Sequence, residues 1–255
     1  MHRRDFIGAA VVCALAILSL MVTAPAPAQA QEPTHYTFVS YWDVPRAQWN
    51  DFEKSEAQTS SILEGLVADG TLTAWGSSAA LVHTSGGYTH ANWFVSETQG
   101  GIVKTLTALG TASRGSAYAG VTKHEDLLLH SIAHGGKTAH ATSGVIRVAM
   151  WQAKPGEGEG IENYFKKYIQ PDLDAGVADG SVLMYNFDNE AIHTDAPGSY
   201  NLAVVYANAD GLDKGAAQLA AHAKDNPAAG QGFGSMVETK DHRDSLGRVL
   251  AYQHK

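Results

Sequence analysis

Hydrophobic and polar positions along the chain predict a regular order of strands and helices. Residues 35–43 are rich in aromatic and β-branched side chains, which is typical of a strand. Residues 46–68 carry apolar side chains at helical spacing and are followed by Asp69 and Gly70, where a glycine can end the helix. Further along, the pattern predicts strands over 71–84, 89–96 and 126–133 and a second helix over 101–112. The predicted order is strand, helix, strand, strand, helix, strand.

The same pattern is written twice in the chain. The run VADG occurs at 67–70 and again at 177–180, and the tripeptides at 82–84 and 192–194 both end in His-Thr. Both matches are 110 residues apart, which indicates an internal repeat. We therefore expect one repeat over 35–135 and a second over 144–255, each with the order βαββαβ.

The last strand of the second repeat follows an insertion. His124 and Asp126 match His242 and Asp244 at a spacing of 118 residues instead of 110. The extra residues fall in a stretch rich in Gly, Ala and Pro, residues 226–232. That composition predicts a surface loop.

The first strand of each repeat is apolar on both faces. In the first repeat, Phe38 and Trp42 alternate with Val39 and Tyr41. A strand that is apolar on both faces is buried on both. Two helices cover only one face of such a sheet, so the other face needs a partner. The simplest partner is the other repeat, packed sheet to sheet.

This duplicated βαββαβ pattern resembles the dimeric α/β-barrel superfamily. The resemblance implies an α+β fold in which two tandem ferredoxin-like repeats form a pseudo-dimeric barrel within one chain, with further association of chains left open. It also implies ligands in the barrel interior or between sheet and helices. Members of the superfamily include haem-dependent peroxidases and small cofactor-free oxygenases, so haem is one expectation among several. A shared fold alone does not define an activity.

The N-terminus, MHRRDFIGAA, has the pattern of an export signal. A basic start and an apolar stretch lead to Ala28 and Ala30, the small residues expected before a cleavage site. We predict a signal peptide over residues 1–30 and a periplasmic or secreted mature protein. Arg3 and Arg4, with Phe6 two positions further on, resemble the twin-arginine signal of proteins exported already folded. The general secretory route is the alternative.

Composition and residue spacing limit the classes of partner and metal that this protein is expected to bind. The formal net charge is −8, which argues against nucleic acid and offers no polybasic patch for an anionic membrane. The single cysteine, Cys13, lies in the predicted signal peptide, so a thiolate metal site is not expected in the mature chain. His130 and His134 have a spacing seen in zinc sites, but on a strand they are about 13 Å apart. We predict a small-molecule ligand and no metal site.

Two repeat-matched pairs are the candidate catalytic residues. His124 and Asp126 form one pair, and His242 and Asp244 form the other. Residues two apart on a strand point the same way, so each carboxylate can orient its imidazole. An imidazole held in this manner can serve as a general base or as an oriented metal ligand.

A second group of residues predicts a ligand-binding polar centre inside the barrel. Arg147 and Arg248 interrupt apolar strands, where a charge needs an ion pair or an anionic ligand. His130, His90 and Asn92 are the other candidates for this centre. A ligand with a carboxylate, or the propionates of a haem, would suit it.

Three functions follow from these observations. The first is an exported protein that binds a small organic molecule, with the option of a cofactor-free enzyme. The second is a haem- or metal-dependent oxidoreductase, which the export signal and the many histidines favour. The third is a non-enzymatic interaction scaffold. The sequence does not decide whether the chain is an enzyme.

Overall fold

The computed structural model describes residues 34–83, 87–111, 120–192 and 197–255. The predicted signal peptide lies outside these residues. The described strands are β1 Tyr36–Asp43, β2 Ala74–Ala80, β3 His90–Ser96, β4 Lys123–Gly136, β5 Ala139–Ala141, β6 Val145–Gln152, β7 Val182–Glu190, β8 Ser199–Tyr206 and β9 Arg243–His254. The described helices are α1 Trp49–Ala68, α2 Gln99–Thr111, α3 Gly158–Tyr164, α4 Gln170–Asp179, α5 Ala209–Asp225 and α6 Pro227–Met236. None of these helices is both long and apolar enough to span a bilayer.

Eight of the strands close into an antiparallel barrel. Their order is β2-β3-β1-β4-β7-β8-β6-β9, and β9 pairs with β2 to complete the circle. The short strand β5 lies beside the end of β9. Strands of the first half occur in the order β2-β3-β1-β4, and strands of the second half in the order β7-β8-β6-β9. The halves are therefore hydrogen-bonded along both sheet edges, in addition to facing each other across the barrel.

The barrel interior is filled by apolar side chains from both halves. Its buried members are Val39, Ala74, Trp93, Val95, Leu127, Leu129, Ile146, Leu183, Met184, Val205, Val249 and Tyr252. Gly76 lacks a side chain where a Cβ atom would overlap the Trp93 ring. The expectation that the first strand is buried on both faces holds for β1, because Val39 belongs to this interior while Phe38 packs in the outer layer with Phe94.

The helices cover the outer face of each half. In the first half, Leu63 and Leu66 of α1 and Ile102 of α2 pack with Trp75 and Phe94 of the sheet. In the second half, a π-helical turn at Phe165–Ile169 joins α3 to α4. The ring of Phe165 stacks on Phe187 with 4.1 Å between centroids.

The insertion in the second half is a helix, and the prediction of a surface loop over 226–232 is wrong. Pro227 is at the start of α6, where proline favours a helix because its φ angle is already helical. Further along α6, Phe233 packs edge-on against Trp151, with 5.5 Å between centroids, and also contacts Tyr164. These contacts hold a glycine-rich segment in a conformation that its composition disfavours.

A buried carboxyl lies in the barrel wall between the two halves. Asp188 of β7 is 2% exposed, and Ser131 of β4 donates a hydrogen bond of 2.5 Å to it. Burial raises the pKa of Asp188 to about 7. The carboxyl is therefore protonated in the folded protein under conditions in which it would ionise in the unfolded chain.

Replacing Asp188 by Asn is expected to change how stability depends on pH. Between about pH 4 and pH 7 the folded wild type holds a proton that the unfolded chain releases, so its stability falls as pH rises. The Asp188→Asn variant lacks this loss, which is on the order of 4 kcal/mol across the window. Urea unfolding of both proteins measures the difference. Burial lowers the pKa of His35 to about 4, which makes stability rise with pH over this range. This effect is the same in both proteins and cancels when their stabilities are compared. A difference that is constant with pH would contradict the assignment.

Candidate functional site

A cleft between the first pair of helices and the outer face of β1, β3 and β4 contains the first candidate pair. It encloses a cavity of about 90 Å³. Its apolar and aromatic lining consists of Phe38, Trp42, Leu63, Trp93, Phe94, Leu106 and Leu109. Its polar lining includes Ser40, Glu56, Asn92, His124 and Asp126. The cleft therefore combines an apolar wall with a few polar groups, as small-molecule sites commonly do.

Strand pairing positions the imidazole of His124. Trp42 and Ser40 of β1 lie opposite His124 and Asp126 of β4. The His124 Nε2 atom is 2.8 Å from Oδ1 of Asp126, and Ser40 donates a hydrogen bond of 2.5 Å to the same oxygen. The Trp42 ring stacks on His124 with 3.7 Å between centroids and 10° between planes. The imidazole is thus oriented by a carboxylate and held flat against an indole, while about a third of it remains exposed.

Asn92 links the indole to a carboxylate on α1. The Trp42 Nε1–H donates to Oδ1 of Asn92 at 2.8 Å. The Asn92 amide donates in turn to Glu56 at 2.6 Å. Glu56 is only 8% exposed, so this carboxylate depends on such donors. The sequence prediction placed Asn92 inside the barrel, whereas the structure places it in this cleft.

The second half repeats the indole, imidazole and carboxylate. The Trp151 ring stacks on His242 with 5.3 Å between centroids and 12° between planes. His242 Nε2 lies 3.2 Å from Oδ2 of Asp244. Two features differ: Arg147 also donates to Asp244, and Phe233 of α6 covers part of Trp151. The carboxylate of the second pair therefore has an arginine partner, and its tryptophan has an aromatic cover from α6.

The ungapped alignment of the two halves misplaces the first strand by one residue. A spacing of 110 would match Trp42 with Gln152. In the structure Trp42 stacks on His124, and it is Trp151 that stacks on His242. The sequence signal for this shift is the pair of tryptophans, which are 109 residues apart instead of 110. Trp42, Ser40 and Glu56 were not predicted as site residues from the sequence, because their contacts with His124, Asp126 and Asn92 join residues on different elements.

The predicted polar centre of Arg147, Arg248, His130 and His90 is not formed in the barrel interior. All four side chains are on the outer face of the sheet. Arg147 pairs with Asp244, and Arg248 pairs with Glu53 of α1 at 2.5 Å. The ring of His130 packs edge-on against Tyr36, and the buried His90 packs against Phe52. Strand parity is the cause, since a residue shifted by one position faces the opposite side.

Polar groups inside the barrel come from other residues. The Asn186 amide donates to Thr37 at 2.8 Å across the seam between the halves. Asp188 and Ser131 form the second such contact. These side chains are hydrogen-bonded to each other and surrounded by the apolar interior, so they favour a structural role over ligand binding.

The residues around the cleft do not fit a haem. A cavity of about 90 Å³ is well below the range of about 300–1,000 Å³ typical for larger ligands. A histidine also lies on a helix, His222 of α5. Its Nδ1 atom is 3.7 Å from Oδ2 of Asp172, and its ring packs edge-on against Tyr168. In the part of the chain that the structure describes, no three His, Asp or Glu side chains converge as metal ligands would.

The closed barrel with helices outside defines the chain as having the dimeric α/β-barrel fold. A proposed monooxygenase from Lactobacillus acidophilus NCFM has a TM-score of 0.62 and 12% identity, covering 87% of this chain and 96% of that one. A proposed monooxygenase from Fusobacterium nucleatum subsp. nucleatum ATCC 25586 has a TM-score of 0.64 and 8% identity, covering 88% and 96%. An anthrone oxidase-like protein has a TM-score of 0.50 and 6% identity, covering 88% and 94%. These likenesses show the fold alone. No protein-family model and no curated protein sequence matches the chain.

The link between Trp42 and Asn92 can be tested by a double-mutant cycle. Asn92→Leu introduces the residue type found at position 202 of β8, and it removes the acceptor of Trp42 and a donor to Glu56. We expect a loss of about 1–3 kcal/mol in the free energy of unfolding. In a Trp42→Phe background, which already lacks the indole donor, the loss should be smaller by about 1 kcal/mol. Equal losses in both backgrounds would show that the indole contact contributes nothing.

Proposed function

We propose that the chain binds a small planar organic molecule in the cleft of its first half and acts on it with His124 as a general base. The observation that carries this proposal is the clamped imidazole. One nitrogen of His124 faces Asp126, and the ring is stacked on Trp42 at the wall of a cavity. An oriented imidazole beside a carboxylate is suited to accept a proton, because the carboxylate stabilises the imidazolium that forms.

The cavity limits the kind of substrate. Its small volume admits about one ring, and its aromatic and leucine side chains favour an apolar, planar body. A proton acceptor at its edge favours an acidic O–H, as in a phenol. We therefore propose a single-ring phenol as the substrate class. Removing the phenolic proton yields an electron-rich phenolate, which reacts with oxygen more readily than the phenol.

Oxygen is the proposed co-reactant. The choice is motivated by the names of the fold neighbours, two proposed monooxygenases and an anthrone oxidase-like protein. A hydroquinone provides a balanced test reaction. Hydroquinone loses two protons and two electrons to form benzoquinone, and oxygen takes up both to form hydrogen peroxide.

Substituting His124 tests the proposal directly. His124→Gln is expected to lower the rate of hydroquinone oxidation by about a hundredfold or more, since it removes the proton acceptor. Oxygen uptake and benzoquinone absorbance measure the rate. His140→Gln is the matched control, because His140 also faces a carboxylate, Glu64 at 3.7 Å, but lies outside the cleft. An unchanged rate in His124→Gln, or an equal loss in the control, would refute the general-base role. The rate of hydroquinone oxidation by His242→Gln shows whether the second half contributes to the reaction.

Export and duplication complete the proposed function. We propose that the first 30 residues direct the protein to the periplasm or the outside and are then removed.

We also infer that the two halves arose as tandem ferredoxin-like repeats. The matching strand order and the repeated Trp-His-Asp arrangement support that origin. A single chain closes the barrel, so we propose that one chain suffices for ligand binding.

The export proposal has its own test. Mass spectrometry of the protein recovered from the periplasm or medium should give a mature N-terminus at Gln31. Replacing Arg3 and Arg4 together by lysines should retain the protein in the cytoplasm if the twin-arginine route is used. Normal export of that variant would favour the general secretory route. An intact N-terminus on the recovered protein would contradict cleavage.

A further inference from the structure

A second and larger cavity lies at the rim of the first half. It has a volume of about 490 Å³ and is bounded by the start of α1, the end of β2 and β9. Its lining includes Arg46, Trp49, Glu53, Leu81, His83 and Arg248. None of the residues that line it also lines the cleft around His124. The two cavities are therefore separate sites.

Two arginines from distant parts of the chain meet at this cavity. Arg248 comes from β9 in the second half and donates to Glu53 of α1 at 2.5 Å. Arg46 lies over the Trp49 ring, with its guanidinium carbon 3.9 Å from the centroid. Within the described ranges no carboxylate lies at ion-pair distance from Arg46. The lining thus carries two guanidinium groups and one carboxylate, Glu53, which pairs with Arg248 and leaves the charge of Arg46 unbalanced within the lining.

A buried histidine lies behind Glu53. The side chain of His90 is 1% exposed, and its Nε2 atom is 3.5 Å from Oε1 of Glu53, beyond a normal hydrogen bond. Burial lowers the pKa of His90, which favours the neutral ring. Neutral His90 adds no charge to the cavity, so the balance is set by Arg46, Arg248 and Glu53.

Apolar side chains complete the cavity. Leu81 is 49% exposed at its edge, and Ala80 lies next to it. An exposed leucine beside two guanidinium groups offers one wall for an apolar body and one for an anion. Guanidinium groups bind carboxylates through paired hydrogen bonds, which makes arginine the usual partner of such anions.

We propose that this rim cavity binds a small organic carboxylate, with its anionic group between Arg46 and Arg248 and its apolar body against Leu81. The site joins both halves of the chain, because Arg248 is contributed by β9. Glu53 holds Arg248 in place when the site is empty and competes with the ligand for it. This binding is independent of the proton transfer proposed for His124.

Calorimetric titration of the protein with benzoate tests the proposal. Arg46→Gln and Arg248→Gln should each weaken benzoate binding about tenfold or more, since each removes a charge-assisted contact. Glu53→Gln should tighten it several-fold, because the competing carboxylate is gone while the shape is kept. Arg243→Gln, on the same strand but outside the cavity, is the matched control and should leave the affinity unchanged. Benzamide, which is neutral, should bind much more weakly than benzoate.

Several outcomes would overturn the proposal. They are the absence of benzoate binding at millimolar concentration, equal binding of benzamide, and an unchanged affinity in both Arg46→Gln and Arg248→Gln. Weaker binding in Glu53→Gln would also overturn it, because a purely structural ion pair predicts that result. If Arg248→Gln fails to fold, the benzoate affinities of Arg46→Gln, at an exposed position, and of Glu53→Gln still test the proposal. The hydroquinone assay does not enter this test, so the two proposals can fail separately.

Discussion

The architecture depends on two ladders of hydrogen bonds between the halves, β4 with β7 and β2 with β9. Without them each half would be a four-stranded sheet with two bare edges and an apolar inner face. Each ladder contains a shift in register, one at Ser77/Ser78 and one between Ser131 and Ala133. Such irregularities bend and twist a strand, which helps a sheet to close. Each seam therefore joins the two halves and also curves the barrel wall.

Closure also determines where ligands can bind. Large side chains such as Trp93 and Tyr252 fill the interior, which is stabilising but leaves little room. The two cavities described here are lined by residues of α1 together with strand residues, and the cleft around His124 lies between helices and sheet. Most of the strand side chains that line the cleft around His124, such as Phe38, Ser40 and Asn92, come from the outer face of the sheet. The candidate residues His124, Asp126 and Asn92 therefore lie in the cleft beside α1, outside the barrel interior.

The sequence predicted the order of elements in the first half and the burial of β1 on both faces, because both follow from local periodicity. It also indicated that His124 and Asp126 point the same way, since that needs only two residues on one strand. It could not predict the ion pair of Arg248 with Glu53, whose partners are 195 residues apart. The one-residue shift of the first strand in the second half is visible in the sequence only through the spacing of Trp42 and Trp151, because the spacing of 110 shared by the other matches hides it. Packing by Phe233, which no local pattern encodes, stabilises α6 against its glycine content.

The seam between β2 and β9 has a consequence for how the chain folds. It pairs Ala74 with His254, so the barrel becomes complete only when segments far apart in sequence have met. Contacts of such long range slow folding, because the entropy of closing a long loop is lost before the contact is gained. Until then β2 and β9 present unpaired backbone and apolar surface to any neighbouring chain. Before the β2–β9 seam forms, this protein is therefore most prone to aggregate and has most need of a chaperone.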